Sequence, residues 1–171
     1  MALPGFGDIR PEERRDAWGA FLALFGILSA HTLLETARDA LFLARLAPSQ
    51  LPWVYLAMAV LAVAISHGPW GGSGVRAGRF AFSLLLAGCA VVTFGFWLLG
   101  AGRSGLLLRA LYVWTGLVGT LTALQFWLVL GERYTITQAK RLYKIIALGS
   151  VLGAAAGAGL AGYLVGEGVH S

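Results

Sequence analysis

For its length this sequence is poor in charge and in cysteine. Cys89 is the only cysteine among 171 residues, and 12% of the residues are charged. A lone cysteine excludes an internal disulfide framework. Its apolar neighbours make it a packing residue rather than a reactive thiol. The scarcity of charge, set against 58% hydrophobic residues and a mean hydropathy of +0.75, excludes an ordinary soluble domain, which would have too little polar surface to cover such a core. A removable secretory leader does not fit either, because residues 1–17 are polar or turn-forming and the apolar run after them outlasts a leader's short core. Catalytic constellations are missing too. There is no nucleophile beside a base, no phosphate-binding glycine loop, no cofactor motif and no zinc-ligand spacing, so neither an enzyme nor a metal site is expected.

What the chain does have is apolar length. Five hydrophobic segments, near 18–46, 51–66, 80–99, 106–130 and 143–165, are separated by short polar breaks. A hydrocarbon layer of about 30 Å takes about 20 helical residues to cross. Lipid offers no partner to backbone N–H and C=O groups, so each segment is expected to be helical. The predicted fold is an all-α integral membrane protein of about five transmembrane helices, residues 18–171, behind a cytoplasmic segment, residues 1–17. Pro52 suits the first turn of the second span. Gly68-Pro69-Trp70-Gly71-Gly72-Ser73-Gly74 predicts a loop, Gly100 to Gly105 a tighter one, and Thr137 a helix N-cap. The 24 glycines lie mostly inside the apolar runs, where membrane helices accept them.

The net charge of +5 is read through its distribution rather than as an affinity for nucleic acid. With a cytoplasmic N-terminus, Arg10, Arg14, Arg15, Arg76, Arg79, Arg133, Lys140, Arg141 and Lys144 fall on one side and Arg45, Arg103 and Arg109 on the other. That asymmetry places the N-terminus inside, as in a bacterial inner membrane; the Lys and Arg residues between the fourth and fifth spans chiefly anchor the chain against anionic lipid, or else collect a phosphorylated solute at the cytoplasmic mouth.

The first span is unusual in carrying His31, Glu35, Arg38 and Asp39. Their spacing puts the three charges on one helix face, with His31 one turn earlier. Three charges near the centre of a span cost about 8 to 10 kcal/mol, and the apolar residues of the segment return about 4 to 7 kcal/mol. This face must therefore meet other helices or a water-filled cavity, unless it lies beyond the hydrocarbon on an extended helix end with its charges solvated. In the first case Arg38 is the natural anion contact, and Glu35 and Asp39 set its charge balance. Arg38 between the two acids favours a salt-bridged patch over an acid/base pair.

Two further features stand out. In the fourth span, Gln125, Phe126 and Trp127 offer an interhelical amide and interfacial aromatics, or a surface on which a ring stacks. In the fifth, Gly149, Gly153 and Gly157 recur every fourth residue, an interval repeated by Gly162 and Gly166, and predict close backbone packing along the helix.

Glu35-Thr36-Ala37-Arg38-Asp39-Ala40-Leu41, together with Phe126-Trp127, Thr135-Ile136-Thr137-Gln138-Ala139-Lys140-Arg141-Leu142-Tyr143 and Gly149, resembles the ATP/ADP translocase family of nucleotide transporters found in plastids and intracellular bacteria. That resemblance implies a major-facilitator-like architecture, in which two six-helix halves rock about a central site. It implies an antiporter of nucleotides or another anionic solute, with Arg38, Glu35 and Asp39, and in the fourth span Gln125 and Trp127, as substrate-binding residues. Arg38 stands where the family has a basic residue and Asp39 where it has an acid. The family's fourth-span acid is missing, since this chain reads Thr115-Gly116-Leu117 there. Five spans against about twelve imply an incomplete N-terminal half, completed by further helices or a second chain. The alternative expectation is a non-transporting membrane anchor or assembly module with the same fold.

Overall fold

The computed structural model describes residues 10–67, 79–100 and 103–170. Within them the chain is helical: α1 (Pro11–Arg45), a 3-10 turn (Pro48–Gln50), α2 (Leu51–His67), α3 (Arg79–Leu98), α4 (Gly105–Arg133) and α5 (Ile136–His170). By length and composition, five helices are apolar enough to cross a membrane. The predicted loop at 68–74 lies outside the described residues.

Several boundaries differ from the sequence expectation, each for a local reason. Helix α1 starts at Pro11 rather than Trp18. Proline is accommodated at a first helical position, where its missing N–H costs nothing, and Glu13 and Asp16 in the next turns gain ion-pair partners, Arg141 and Arg133. Helix α5 starts at Ile136, not near Tyr143, and is capped by Thr135 rather than Thr137. The Thr135 carbonyl accepts the Ala139 N–H at 2.8 Å, and Gln138 Oε1 accepts the Thr135 N–H at 3.1 Å. A side chain at the third helical position reaching back to the cap N–H is half of a capping box. The link between α4 and α5 thereby shrinks to Tyr134 and Thr135. At the end of α3, Gly100 takes a left-handed φ of 64°, which ends the helix without a Cβ clash.

The contacts divide the chain into two compact units, Met1–Leu33 with Leu130–Ser171, and Leu34–Val129. Helix α1 contributes its first part to one unit and its last part to the other.

In the first unit, α1 and α5 run parallel. A Cβ added to Gly149 would sit 2.6 Å from the carbonyl oxygen of Phe21, and one added to Gly153 or Gly157 would strike the carbonyl oxygen of Phe25 or Ser29. These three glycines and their partners keep the same offset as Glu13 and Arg141, 128 residues, so the helices stay in register over four helical turns. The Ser29 hydroxyl adds a hydrogen bond to the Gly153 carbonyl at 2.9 Å. The expected continuation at Gly162 is not packed, for nothing lies within 4 Å of its added Cβ, and the surroundings of Gly166 are outside what is described.

In the second unit, Phe42 of α1, Val54 of α2 and Leu108, Leu111 and Tyr112 of α4 form a buried cluster, flanked by Leu46, Met58 and Phe96. Helix α4 buries Leu108, Leu111, Tyr112, Thr115, Thr122 and Phe126, a helical stripe of steps three, four and seven. Helix α3 is the opposite case, with nearly all of its apolar side chains exposed or half-buried. Cys89 is its one buried hydrophobic residue.

Candidate functional site

Arg38 is buried, with 5% of its surface exposed. It lies seven residues before the end of α1, about 10 Å along the axis. Burial of a guanidinium is tolerated only when the charge is paired and its donors are used. Both conditions hold. Nε donates to Asp39 Oδ1 at 3.1 Å and Nη2 to Glu35 Oε1 at 3.2 Å. Nη1 donates to Thr115 Oγ1 at 2.7 Å and to the Tyr112 carbonyl at 3.3 Å. Four of the five guanidinium N–H donors are thereby engaged.

The Tyr112 ring completes the enclosure. Its centroid is 4.1 Å from the guanidinium carbon of Arg38, a cation–π contact. The ring is itself held in place, edge-on to Phe42 at 5.1 Å and with its hydroxyl 3.0 Å from that of Tyr55 on α2. Thr115 works in two directions, accepting from Arg38 and donating to the Tyr112 carbonyl at 3.0 Å. Next to it, Gly116 leaves space that Met58 fills, since an added Cβ would overlap the Met58 methyl and come within 3.6 Å of Arg38 Nη1. A longer side chain at 116 would displace Met58.

The two carboxylates are more open than the cation between them: the Glu35 and Asp39 side chains are 39% and 49% exposed. With both ionised, the triplet carries one net negative charge. Its accessible edge is acidic and its guanidinium is covered. An anion reaching Arg38 would have to replace one of those carboxylates.

The structure thus joins Glu35, Arg38 and Asp39 in one site and adds Tyr112, Thr115 and Tyr55; of these the sequence pointed only to Thr115, as part of the stretch where the family's fourth-span acid is missing. It does not bring Gln125 and Trp127 there. They lie about 15 and 18 Å further along α4 than Thr115, and about 80° and 120° around the helix from it. Trp127 is 38% exposed and edge-on to buried Phe126 at 5.7 Å, which in turn faces Phe82 at 6.3 Å. The signal that would have found Tyr112 and Thr115 is the apolar stripe of α4, because both stand on it at Leu108 plus four and plus seven. His31 falls in the other unit. Among the described residues no three His, Cys, Asp or Glu side chains group as metal ligands.

Fold and site together define an all-helical chain with five helices of membrane-crossing length and a guanidinium buried against α4 between two more exposed carboxylates. Comparison with protein-family models, with curated proteins and with solved structures finds no match to this chain.

Proposed function

We propose that the chain inserts into a membrane through its five helices, N-terminus on the cytoplasmic side, and forms the N-terminal part of a secondary transporter. In this reading an anionic solute, with a nucleotide the first candidate, is moved by alternating access. The observation that carries it is the salt-bridged triplet Glu35–Arg38–Asp39 on a membrane-length helix, because charged residues kept in such segments mark solute and ion paths. The arrangement supplies a means of coupling. A phosphate that takes the place of Glu35 or Asp39 on Arg38 keeps the cation paired, and the released carboxylate is free to drive a rearrangement of α1 against the remaining helices or a second chain. The bias of Lys and Arg towards the N-terminal side supports the orientation.

The test is uptake of labelled ATP and ADP by liposomes containing the full protein. Arg38→Ala is expected to abolish uptake and Arg38→Lys to weaken it, since lysine keeps the charge and loses the planar fork. Uptake unchanged in Arg38→Ala rules out the assigned role.

The engagement of four of the five Arg38 donors by internal partners favours a second reading, a non-transporting anchor or assembly module in which the cluster locks α1 to α4. Correct insertion with no uptake of any labelled anion would select it.

A further inference from the structure

The second unit contains, away from Arg38, a groove of about 730 Å³ whose long walls are apolar. Trp53, Ala57 and Leu61 of α2 form one side, Ala110, Val113 and Leu117 of α4 the other. Trp114 also lines it and is fixed by its indole N–H, which donates to Thr93 Oγ1 of α3 at 3.1 Å. From Arg109 to Leu117, or from Trp53 to Leu61, the groove extends about 12 Å along the helices.

Only its mouth is polar. There Arg109 Nε and Nη2 both donate to Gln50 Oε1, at 3.1 and 2.8 Å, which orients the guanidinium with three N–H donors left over. The mouth lies at the end of the unit where α1 and α3 stop and α4 begins. Among the described residues this end carries Arg45, Arg103 and Arg109 and no carboxylate.

We infer that this groove is a binding site for an anionic phospholipid, with its phosphate on Arg109 and an acyl chain between α2 and α4. The order of chemistry along the groove is that of the lipid: positive charge at the end of the helices, then aromatic Trp53 at the rim, then hydrocarbon. A helix of this chain or another would match the walls but not the acid-free cluster of arginines.

The inference rests on the proposed membrane insertion, and the experiment separates the two. Alkaline carbonate washing of membranes comes first. Release of the chain overturns insertion and the lipid site together. The retained protein is then purified in detergent with equal amounts of phosphatidylglycerol and phosphatidylcholine of identical chains, and bound lipid is counted by native mass spectrometry. One phosphatidylglycerol per chain is expected, preferred about fivefold over phosphatidylcholine. Arg109→Gln should erase the preference, and Ala110→Trp, which fills the groove, should erase retention with the far-ultraviolet dichroism unchanged. Equal retention of both lipids by the unaltered protein overturns the inference, as does full retention by Ala110→Trp.

Discussion

In the first unit α1 and α5 meet backbone to backbone, with glycine removing the side chains between them, whereas in the second unit α1 and α4 are joined through a buried charge. The glycine contact depends on shape. It needs no polar group to be satisfied, it recurs with the helix period, and each step adds a little dispersion energy and close carbonyl contact. The Arg38 contact depends on completeness. Two carboxylates, a hydroxyl, a carbonyl and a ring surround one cation, and removal of a partner exposes the cost of burying the rest. The first kind of contact is tolerant at its ends, as unpacked Gly162 shows, and the second is not tolerant anywhere.

That contrast can be broken from either side. The largest effect is expected from Glu35→Gln combined with Asp39→Asn, which leaves Arg38 buried without a counter-ion and should cost about 3 kcal/mol in equilibrium unfolding in mixed micelles. A cost near zero would mean that the cluster is solvated. Gly153→Leu comes next, at about 2 to 3 kcal/mol, because its Cβ meets the Phe25 backbone, which cannot swing away as a side chain would. Gly162→Leu in the same helix should stay within about 0.5 kcal/mol, and equal costs for the two would refute the assigned register. Thr115→Val keeps the shape and deletes the 2.7 Å bond to Arg38, for a loss of about 2 kcal/mol.

The smallest effect concerns the polar end of the first unit. Glu13 pairs with Arg141 at 3.1 Å and Asp16 with Arg133 at 2.7 Å, around a pocket also lined by Tyr134. The Tyr134 hydroxyl is buried with no hydrogen-bond partner among the described residues. Burial, and then the nearby Asp16 charge, push its phenol above the ordinary tyrosine range. A raised pKa in the folded state adds stability that is fully present below the unfolded value near 10 and is lost as pH rises beyond it. Tyr134→Phe should therefore remove part of the alkaline loss of stability and change neutral-pH stability by less than about 1 kcal/mol. An unchanged alkaline limb in unfolding curves would show that Tyr134 takes no part in it.

The second span was expected at 51–66 and α2 covers Leu51–His67, because an apolar run between polar breaks has few other ways to satisfy its backbone. The starts of α1 and α5 were harder to see. Polar residues hide a helix from hydropathy, and the partners that hold them there lie far along the chain, as Gln138 and Arg141 do for Glu13. In the site, the i,i+3 and adjacent spacings of Glu35, Arg38 and Asp39 sufficed to join the three charges. Tyr112 and Thr115 stand more than seventy residues away, and nothing local marks them as partners of a cation. Gln125 and Trp127 drew attention by residue type, while their angle around α4 keeps them off the face that Thr115 shares.

Sequence alone therefore determined the five apolar helices, the glycine interval and the charged patch, since each follows from composition or from helical period within a single segment. Only the tertiary structure decided that Gly149, Gly153 and Gly157 meet Phe21, Phe25 and Ser29, and that Arg38 is closed off by α4 while its carboxylates stay open. The physical reason is that period determines which residues share a face, whereas the partner of that face depends on the packing of segments far apart in the chain.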